Sequence, residues 1–243
     1  MLLLIALMGC KKPQTPEVAP PPVEAEEEAP TGESGSANPE LPPVKADLKA
    51  HMAVHLSVAT SARDAVVRGD LEAAKEFMGW LARHEGPEEL PEDWQSYQPY
   101  VLAMSQSAKA GSEAPTLEVA ATAIAGVAAA CGSCHEESNG GLEFPQTEPP
   151  ADKEGVTPHM ARHKWASEQL WLGMLGPSEL HWNLGAAAMV EDPMETEEMH
   201  HGTNMTPEEQ AFDAWLHTLG DFGGHIEDKS RRAELYGAML GTC

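Results

Sequence analysis

Residues 117–137 read LEVAATAIAGVAAACGSCHEE, an alanine-rich run that ends in two cysteines and a histidine. Seven of the fourteen residues from Leu117 to Ala130 are alanine, which has the highest helix propensity and loses no side-chain entropy in a helix. Aromatic residues make up only 5% of the chain, and the Val/Ile alternation typical of strands is scarce. The sequence therefore predicts a helix over 117–137 in an all-α protein.

Three more helices are predicted before this run. Residues 47–68 form the first, because their apolar residues recur at steps of three and four. That stripe consists of Leu48, Met52, His55, Ala59, Ala62 and Val66. The second and third helices cover 71–84 and about 96–110, and the connections between all four are short. Short connections favour an up-down-up-down four-helix bundle, which we assign to residues 47–138.

The end of the alanine-rich run carries the CxxCH motif Cys131-Gly132-Ser133-Cys134-His135. Positions i, i+3 and i+4 share one helix face, so both thiols can bond to the vinyl groups of a haem while the imidazole reaches the iron. The motif predicts one covalent haem c. The alternatives are a thioredoxin-like pair, which would follow a β-strand, a zinc site, which needs a fourth ligand, and a disulfide, which would leave His135 unused.

An attachment motif that closes the fourth helix resembles the cytochrome c-prime family and its four-helix relatives, over about residues 46–138. The resemblance rests on Cys131 to His135, on the helix count and on a Met-bearing first helix that starts at Ala46-Asp47-Leu48. It implies a haem within one end of the bundle, with His135 as the proximal ligand. Members of that family carry electrons when a sixth ligand is present, or bind small gases at an open distal site.

The first helix offers candidates for the sixth ligand. In an antiparallel bundle its N-terminus lies beside the C-terminus of the fourth helix, which brings Met52 and His55 towards the haem, with His51 at the edge of the stripe. A thioether or an imidazole near the iron usually binds it, so we expect Met52 or His55 to do so. Methionine would raise the reduction potential and histidine would lower it. The sequence leaves this choice open.

The N-terminal segment predicts export. Residues 1–9 are apolar but too few to cross a bilayer, which takes roughly 20 helical residues, and Leu7-Met8-Gly9-Cys10 resembles the lipobox of bacterial lipoproteins. The resemblance implies a cleaved signal over 1–9 and a lipid on Cys10; the alternative is a short secretory signal with an incidental cysteine. Residues 10–46 are rich in Pro and Glu, which predicts a disordered tether. Both interpretations place the protein in the periplasm or cell envelope.

The C-terminal part looks like a second, partial bundle-like repeat over 159–243, joined by a linker over 139–158. The pattern of His51, Met52 and His55 returns in it with the same spacing as His159, Met160 and His163. We call the offset between these two patterns, from 51 to 159, the repeat interval. Later helices are expected over 206–219, with a stop at Gly220, and over about 227–241.

Cys243 aligns with Cys131 when the last helices of the two halves are superimposed. Three explanations stay open for this match. The chain could be a truncated dihaem cytochrome in which Met160 or His163 serves the second iron. The second half could be a degenerate copy that lost its haem, or the similarity could be chance.

The composition points to a partner class. With 39 acidic against 15 basic residues and a formal charge of −24, the chain is not expected to bind nucleic acid, whose phosphates are held by Lys and Arg. We expect an exported single-electron carrier, held at the membrane by its lipid, that exchanges electrons with redox proteins through their basic surfaces. A gas-binding or gas-sensing module with an open distal site is the alternative. No catalytic residues are predicted.

Overall fold

The computed structural model describes residues 48–83, 92–140, 142–151, 156–190, 206–226 and 228–242, and every regular element in them is helical. The prediction of an all-α protein is confirmed. The helices are α1 (Leu48–Val67), α2 (Leu71–Arg83), α3 (Gln98–Ser112), α4 (Leu117–Glu137), α5 (Val156–Leu175), α6 (Glu179–Met189), α7 (Pro207–Gly224) and α8 (Arg232–Leu240). Two 3₁₀ segments cover Glu92–Tyr97 and Lys229–Arg231. The predicted signal, Cys10, the tether and Cys243 lie outside the described residues.

The helices pack in two sets, α1–α4 (the first set) and α5–α8 (the second set), and each set has the same neighbour relations. In the first set each helix packs against the next one along the chain, and α1 also packs against α4. In the second set α5 to α8 repeat this order, with α8 returning to α5. Helix α4 also packs against α5 and α8. It is therefore the element that both sets share.

Small side chains allow α4 to take this central place. A Cβ added at Gly237 of α8 would lie 3.0 Å from the Cα of Thr122, so the backbones of α4 and α8 come close only because Gly237 has no side chain. Helix α4 is long and apolar enough to cross a membrane by length and composition, with a mean hydropathy of 1.6, and half of that window is buried in the protein.

The helix boundaries follow the same repeat interval as the histidine pattern. The start of α5 lies one repeat interval after the start of α1 (residues 48 and 156), and its end lies one repeat interval after the end of α1 (residues 67 and 175). The start of α6 likewise lies one repeat interval after the start of α2 (residues 71 and 179). The capping residues that precede α2 and α6 correspond in the same way (70 to 178). Asp70 accepts a hydrogen bond from the Ala73 amide at 3.0 Å, and Ser178 accepts one from the His181 amide at 3.4 Å.

Three predicted boundaries differ from the structure by three residues or more, whereas α3 is shifted by about two residues at each end. Helix α5 begins at Val156, inside the predicted linker over 139–158, because Pro158 lies in the first turn, where no backbone N–H is needed. The predicted stop at Gly220 is wrong, since α7 continues to Gly224. Gly220 serves close packing instead: a Cβ there would lie 2.6 Å from the Cβ of Met189.

The third difference is at the start of the last helix, α8. The predicted helix over about 227–241 begins later, because a 3₁₀ turn precedes α8. The Asp228 carboxylate caps that turn by accepting a hydrogen bond from the Ser230 amide at 2.9 Å.

Candidate functional site

A cavity of about 450 Å³ lies between the N-terminal half of α1, the start of α3 and the C-terminal end of α4. This volume falls within the range of about 300–1,000 Å³ that small-molecule and cofactor sites occupy. Most of its walls are apolar or aromatic. They include Leu48, Ala53, Leu56, Ala59, Leu81, Val101, Met104, Leu142 and Leu175.

The three chemically active residues of the CxxCH motif line this cavity together. Cys131, Cys134 and His135 lie on one face of α4, as the i, i+3, i+4 spacing requires. The two residues between the cysteines lie elsewhere, since Gly132 is buried and Ser133 is exposed. Both cysteines carry thiols. The predicted attachment residues and the predicted proximal ligand therefore converge on one cavity.

A backbone carbonyl from the second set of helices holds the imidazole of His135. Its Nδ1 lies 2.8 Å from the carbonyl oxygen of Leu175, the last residue of α5. A carbonyl only accepts hydrogen bonds, so Nδ1 carries the proton and donates it, and Nε2 is then the nitrogen with a lone pair. A metal-binding histidine is commonly held in this way, with its second nitrogen donating to a carbonyl or carboxylate. The ring is thus prepared to bind a metal through Nε2.

Helix α1 brings both candidate distal ligands to the same cavity. Met52 and His55 line it, whereas His51 does not and is 3% exposed. The ring of His55 stacks on that of His51 at a centroid distance of 4.6 Å and meets the edge of Trp80 at 5.6 Å. The orientation of His55 is therefore fixed by its neighbours, while Met52 has a flexible thioether chain. Both candidates stay open.

Sequence reasoning missed several residues of the cavity wall. Trp94, Tyr97 and Tyr100 line it from the 3₁₀ segment and the start of α3, and Lys49 lies on its α1 side. Trp94 and Tyr97 are in edge-to-face contact, with centroids 5.7 Å apart. The spacing of three between these aromatic residues was the available signal, because residues three apart share one face of a 3₁₀ helix.

A charge pair joins the C-terminal end of α4 to the second set of helices, and further pairs lie beside it within that set. Glu136 accepts a hydrogen bond from Lys229 at 2.9 Å, and this bond raises the pKa of the Lys229 ammonium. Glu179 accepts a hydrogen bond from Arg232 at 2.6 Å, which lowers the pKa of the Glu179 carboxyl. Lys229 also lies 3.6 Å from Glu179. These contacts position the segment that follows the CxxCH motif.

The remaining predicted site residues lie in the second set of helices. His159 and His163 sit together on α5, and their ring centroids are 4.1 Å apart. Met160, the other residue considered for a second iron, is 50% exposed. Asp213 and His217 of α7 join the two histidines, and sequence reasoning missed both, although the DxxxH spacing places them on one helix face.

The zinc alternative for the CxxCH motif finds no support among the described residues. The group there that is compact enough to hold a metal ion consists of His159, His163, Asp213 and His217, and the motif does not belong to it. Comparisons with known proteins add no constraint, since no protein-family model, curated protein or solved structure matches the chain.

Proposed function

We propose that this chain is an exported c-type cytochrome that carries single electrons in the cell envelope. Residues 47–138 would form a four-helix bundle of the cytochrome c-prime type, with one haem bound covalently to Cys131 and Cys134. The signal over 1–9 would direct export, a lipid on Cys10 would anchor the protein to a bacterial membrane, and residues 10–46 would be the tether. The second set of helices would be a partial repeat of the bundle.

One observation carries this proposal: the CxxCH residues line an apolar cavity of cofactor size, and the histidine is oriented for iron. The cavity holds about 450 Å³. His135 donates from Nδ1 to Leu175, so its Nε2 has the lone pair that a proximal ligand needs. A redox dithiol or a structural disulfide would require neither the cavity nor this histidine orientation.

The residues of the cavity have separate tasks in this proposal. The two thiols would fix the cofactor at two points, and His135 would bind the iron from the proximal side. Met52 or His55 would bind it from the distal side. The aromatic rings of Trp94, Tyr97 and Tyr100 would exclude water, which affects the potential through the local dielectric. The ammonium group of Lys49 would pair with a carboxylate of the cofactor.

A haem bound here supplies reversible one-electron chemistry at its iron, and the protein sets the potential through ligand identity and burial. Met52 and His55, the two candidate side chains on the α1 side of the cavity, favour an iron with a sixth ligand. Electron transfer then needs no movement of a ligand, and this supports a carrier over a gas-binding module.

The deciding experiment is intact-mass measurement of the full chain after maturation in a host that attaches haem c. We expect the polypeptide to gain the mass of one haem, and the gain to be lost in the double variant Cys131→Ala/Cys134→Ala. Ser133→Ala is the matched control, because Ser133 lies within the motif but is exposed; it should retain the haem. A mature protein with no added tetrapyrrole would contradict the proposal.

Spectroscopy of the single variants Met52→Ala and His55→Ala identifies the distal ligand. We expect a low-spin spectrum for the unmodified protein, and a change to high spin in one variant only. Carbon monoxide added to the reduced protein tests the alternative. Immediate binding to the unmodified protein, together with a high-spin spectrum, would show an open distal site and a gas-binding function.

A further inference from the structure

We propose that His159, His163, Asp213 and His217 form a binding site for one Zn²⁺ ion in the second set of helices. The site is separate from the cavity lined by the CxxCH motif, and none of the four residues lines that cavity. The proposal does not depend on haem attachment.

The four residues come from two helices at matched spacing. His159 and His163 are at i and i+4 on α5, and Asp213 and His217 are at i and i+4 on α7, so each pair occupies one helix face. Each of these two helices packs against both α6 and α8. One ligand atom from each residue can be chosen so that all four lie within 4.8 Å of one another.

Two of the distances, both to Asp213, are close to those of a four-coordinate zinc site. Ligands about 2.0–2.1 Å from Zn²⁺ in a tetrahedron are about 3.3 Å apart. The Asp213 carboxylate oxygen Oδ1 lies 3.5 Å from Nε2 of His159 and 3.5 Å from Nε2 of His217. These separations are longer than a good N–H···O hydrogen bond, and a small contraction would bring them to the spacing of a shared ion.

The side chains are withdrawn from water, and their contacts with one another through Asp213 are long. The side chains of His159, Asp213 and His217 are 12%, 13% and 11% exposed. Nε2 of His159 and both ring nitrogens of His217 are buried and make no hydrogen bond to any residue that the structure describes. Buried polar atoms nearly always have a partner. A bound ion would provide one for this group.

The donor set selects the class of ion. Three imidazoles and one carboxylate suit Zn²⁺, which takes nitrogen and oxygen ligands in a tetrahedron, whereas Mg²⁺ and Ca²⁺ need more oxygen ligands. Four protein ligands fill the coordination of zinc, as in structural sites. The strongly acidic chain favours the approach of a cation.

Comparison of the two sets of helices shows what is new in the second. His159 and His163 correspond to His51 and His55 at the repeat interval. Helices α3 and α7 begin at 98 and 207. Aligning these starts, with an offset one residue longer than the repeat interval, places Asp213 and His217 at the positions of Met104 and Ala108.

The first set therefore has buried apolar residues where the second has an acid and an imidazole, since Met104 and Ala108 are 4% and 0% exposed. In the second set these two positions complete the group of four possible metal ligands.

The test uses the full-length mature protein, stripped with a chelator and titrated with Zn²⁺ in a calorimeter. We expect one high-affinity zinc per chain, and X-ray absorption at the zinc edge should show four nitrogen or oxygen ligands, three of them imidazole. Loss of an outer partner of a ligand weakens binding about 10–100-fold, so Asp213→Asn, which removes a ligand, should weaken it more than about 100-fold. His225→Gln is the matched control, because His225 is 80% exposed at the end of the same helix.

Two results would overturn the proposal, and a third would contradict the ligand assignment. One is a stripped protein that takes up no zinc while circular dichroism shows it folded; a stripped protein that unfolds and refolds only with zinc would support the site. The other is a second haem: if elemental analysis gives two irons per chain and His163→Ala removes one, these histidines bind haem iron. Unchanged zinc affinity in both Asp213→Asn and His159→Gln would also contradict the ligand assignment.

Discussion

Replacing Gly132 by alanine tests how closely α4 depends on α5. A Cβ at position 132 would lie 2.0 Å from the carbonyl oxygen of Met174 and 3.2 Å from its carbon. Close carbon–oxygen contacts in proteins lie near about 3.3 Å, so α4 and α5 would have to separate locally by about 1 Å. The oxygen belongs to the backbone, so no side-chain rotation relieves the clash. The hydrogen bond from His135 to Leu175, the next residue, would lengthen as well.

The expected change in the free energy of unfolding of Gly132→Ala combines two destabilising effects and one stabilising effect. Overpacking a well-packed interface costs about 1–3 kcal/mol, and a weakened hydrogen bond removes about 1 kcal/mol more. Alanine gains about 1 kcal/mol over glycine in a helix interior. We therefore expect the free energy of unfolding to fall by about 2 kcal/mol, which in a domain of this size corresponds to a decrease in Tm of about 4–8 °C.

The same substitution at Gly79 is the matched control. Gly79 also lies inside a helix, α2, but an added Cβ would meet the guanidinium end of Arg83 at 3.2 Å and Ser112 at 3.7 Å. The Arg83 side chain can move, so helix propensity should dominate and Gly79→Ala should leave stability equal or raise it by up to about 1 kcal/mol. Urea denaturation of both variants measures the difference. A Gly132→Ala protein as stable as the Gly79→Ala protein would refute the reasoning.

Three further predictions concern charge and capping. The hydrogen bond from Arg232 lowers the pKa of Glu179, so its contribution is present above the ordinary carboxyl pKa and is lost as pH falls through the lowered value. Glu179→Gln should thus destabilise the protein at neutral pH by no more than about 1 kcal/mol, since the side chain is half exposed, and the difference should disappear in acid melts. Asp70→Ala removes the cap of α2 and should cost about 1 kcal/mol in urea denaturation, whereas an unchanged midpoint would exclude a capping role. Electron exchange with a basic redox partner should slow as salt rises; stopped-flow rates that do not vary with ionic strength would exclude steering by the acidic surface.

Most of the helices were predicted because their signals, helix propensity and the spacing of apolar residues, are local properties of the sequence. The alanine-rich run gave α4 the bounds 117–137 that the structure has, and the apolar stripe placed α1 within one residue at each end. Gly220 misled because a glycine can end a helix or admit a close neighbour, and the sequence does not distinguish these uses. The contact with Met189 decides it, and this contact joins residues that are far apart along the chain.

For the candidate site, the sequence predicted only the residues that spacing along a helix, or the order of the helices, places together. Cys131, Cys134 and His135 follow from one helix face, and the antiparallel order of helices brought Met52 and His55 to the same place. The acceptor for His135 could not be predicted, because Leu175 contributes a backbone carbonyl that has no sequence signature. Asp213 and His217 were overlooked because an aspartate and a histidine four residues apart are not distinctive until the fold brings them to His159 and His163.

The carbonyl of Leu175 has a consequence for how the two sets of helices can diverge. In a symmetric dimer of identical chains each copy would have to provide to its partner every contact that it receives. Here both sets belong to one chain, so α5 can accept the hydrogen bond of His135 without having to donate a matching one to α1. The carbonyl of Val67, the counterpart of Leu175 at the repeat interval, need not accept a matching hydrogen bond. Within one polypeptide, a backbone carbonyl of one set can therefore orient a histidine of the other set with no matching contact required in return.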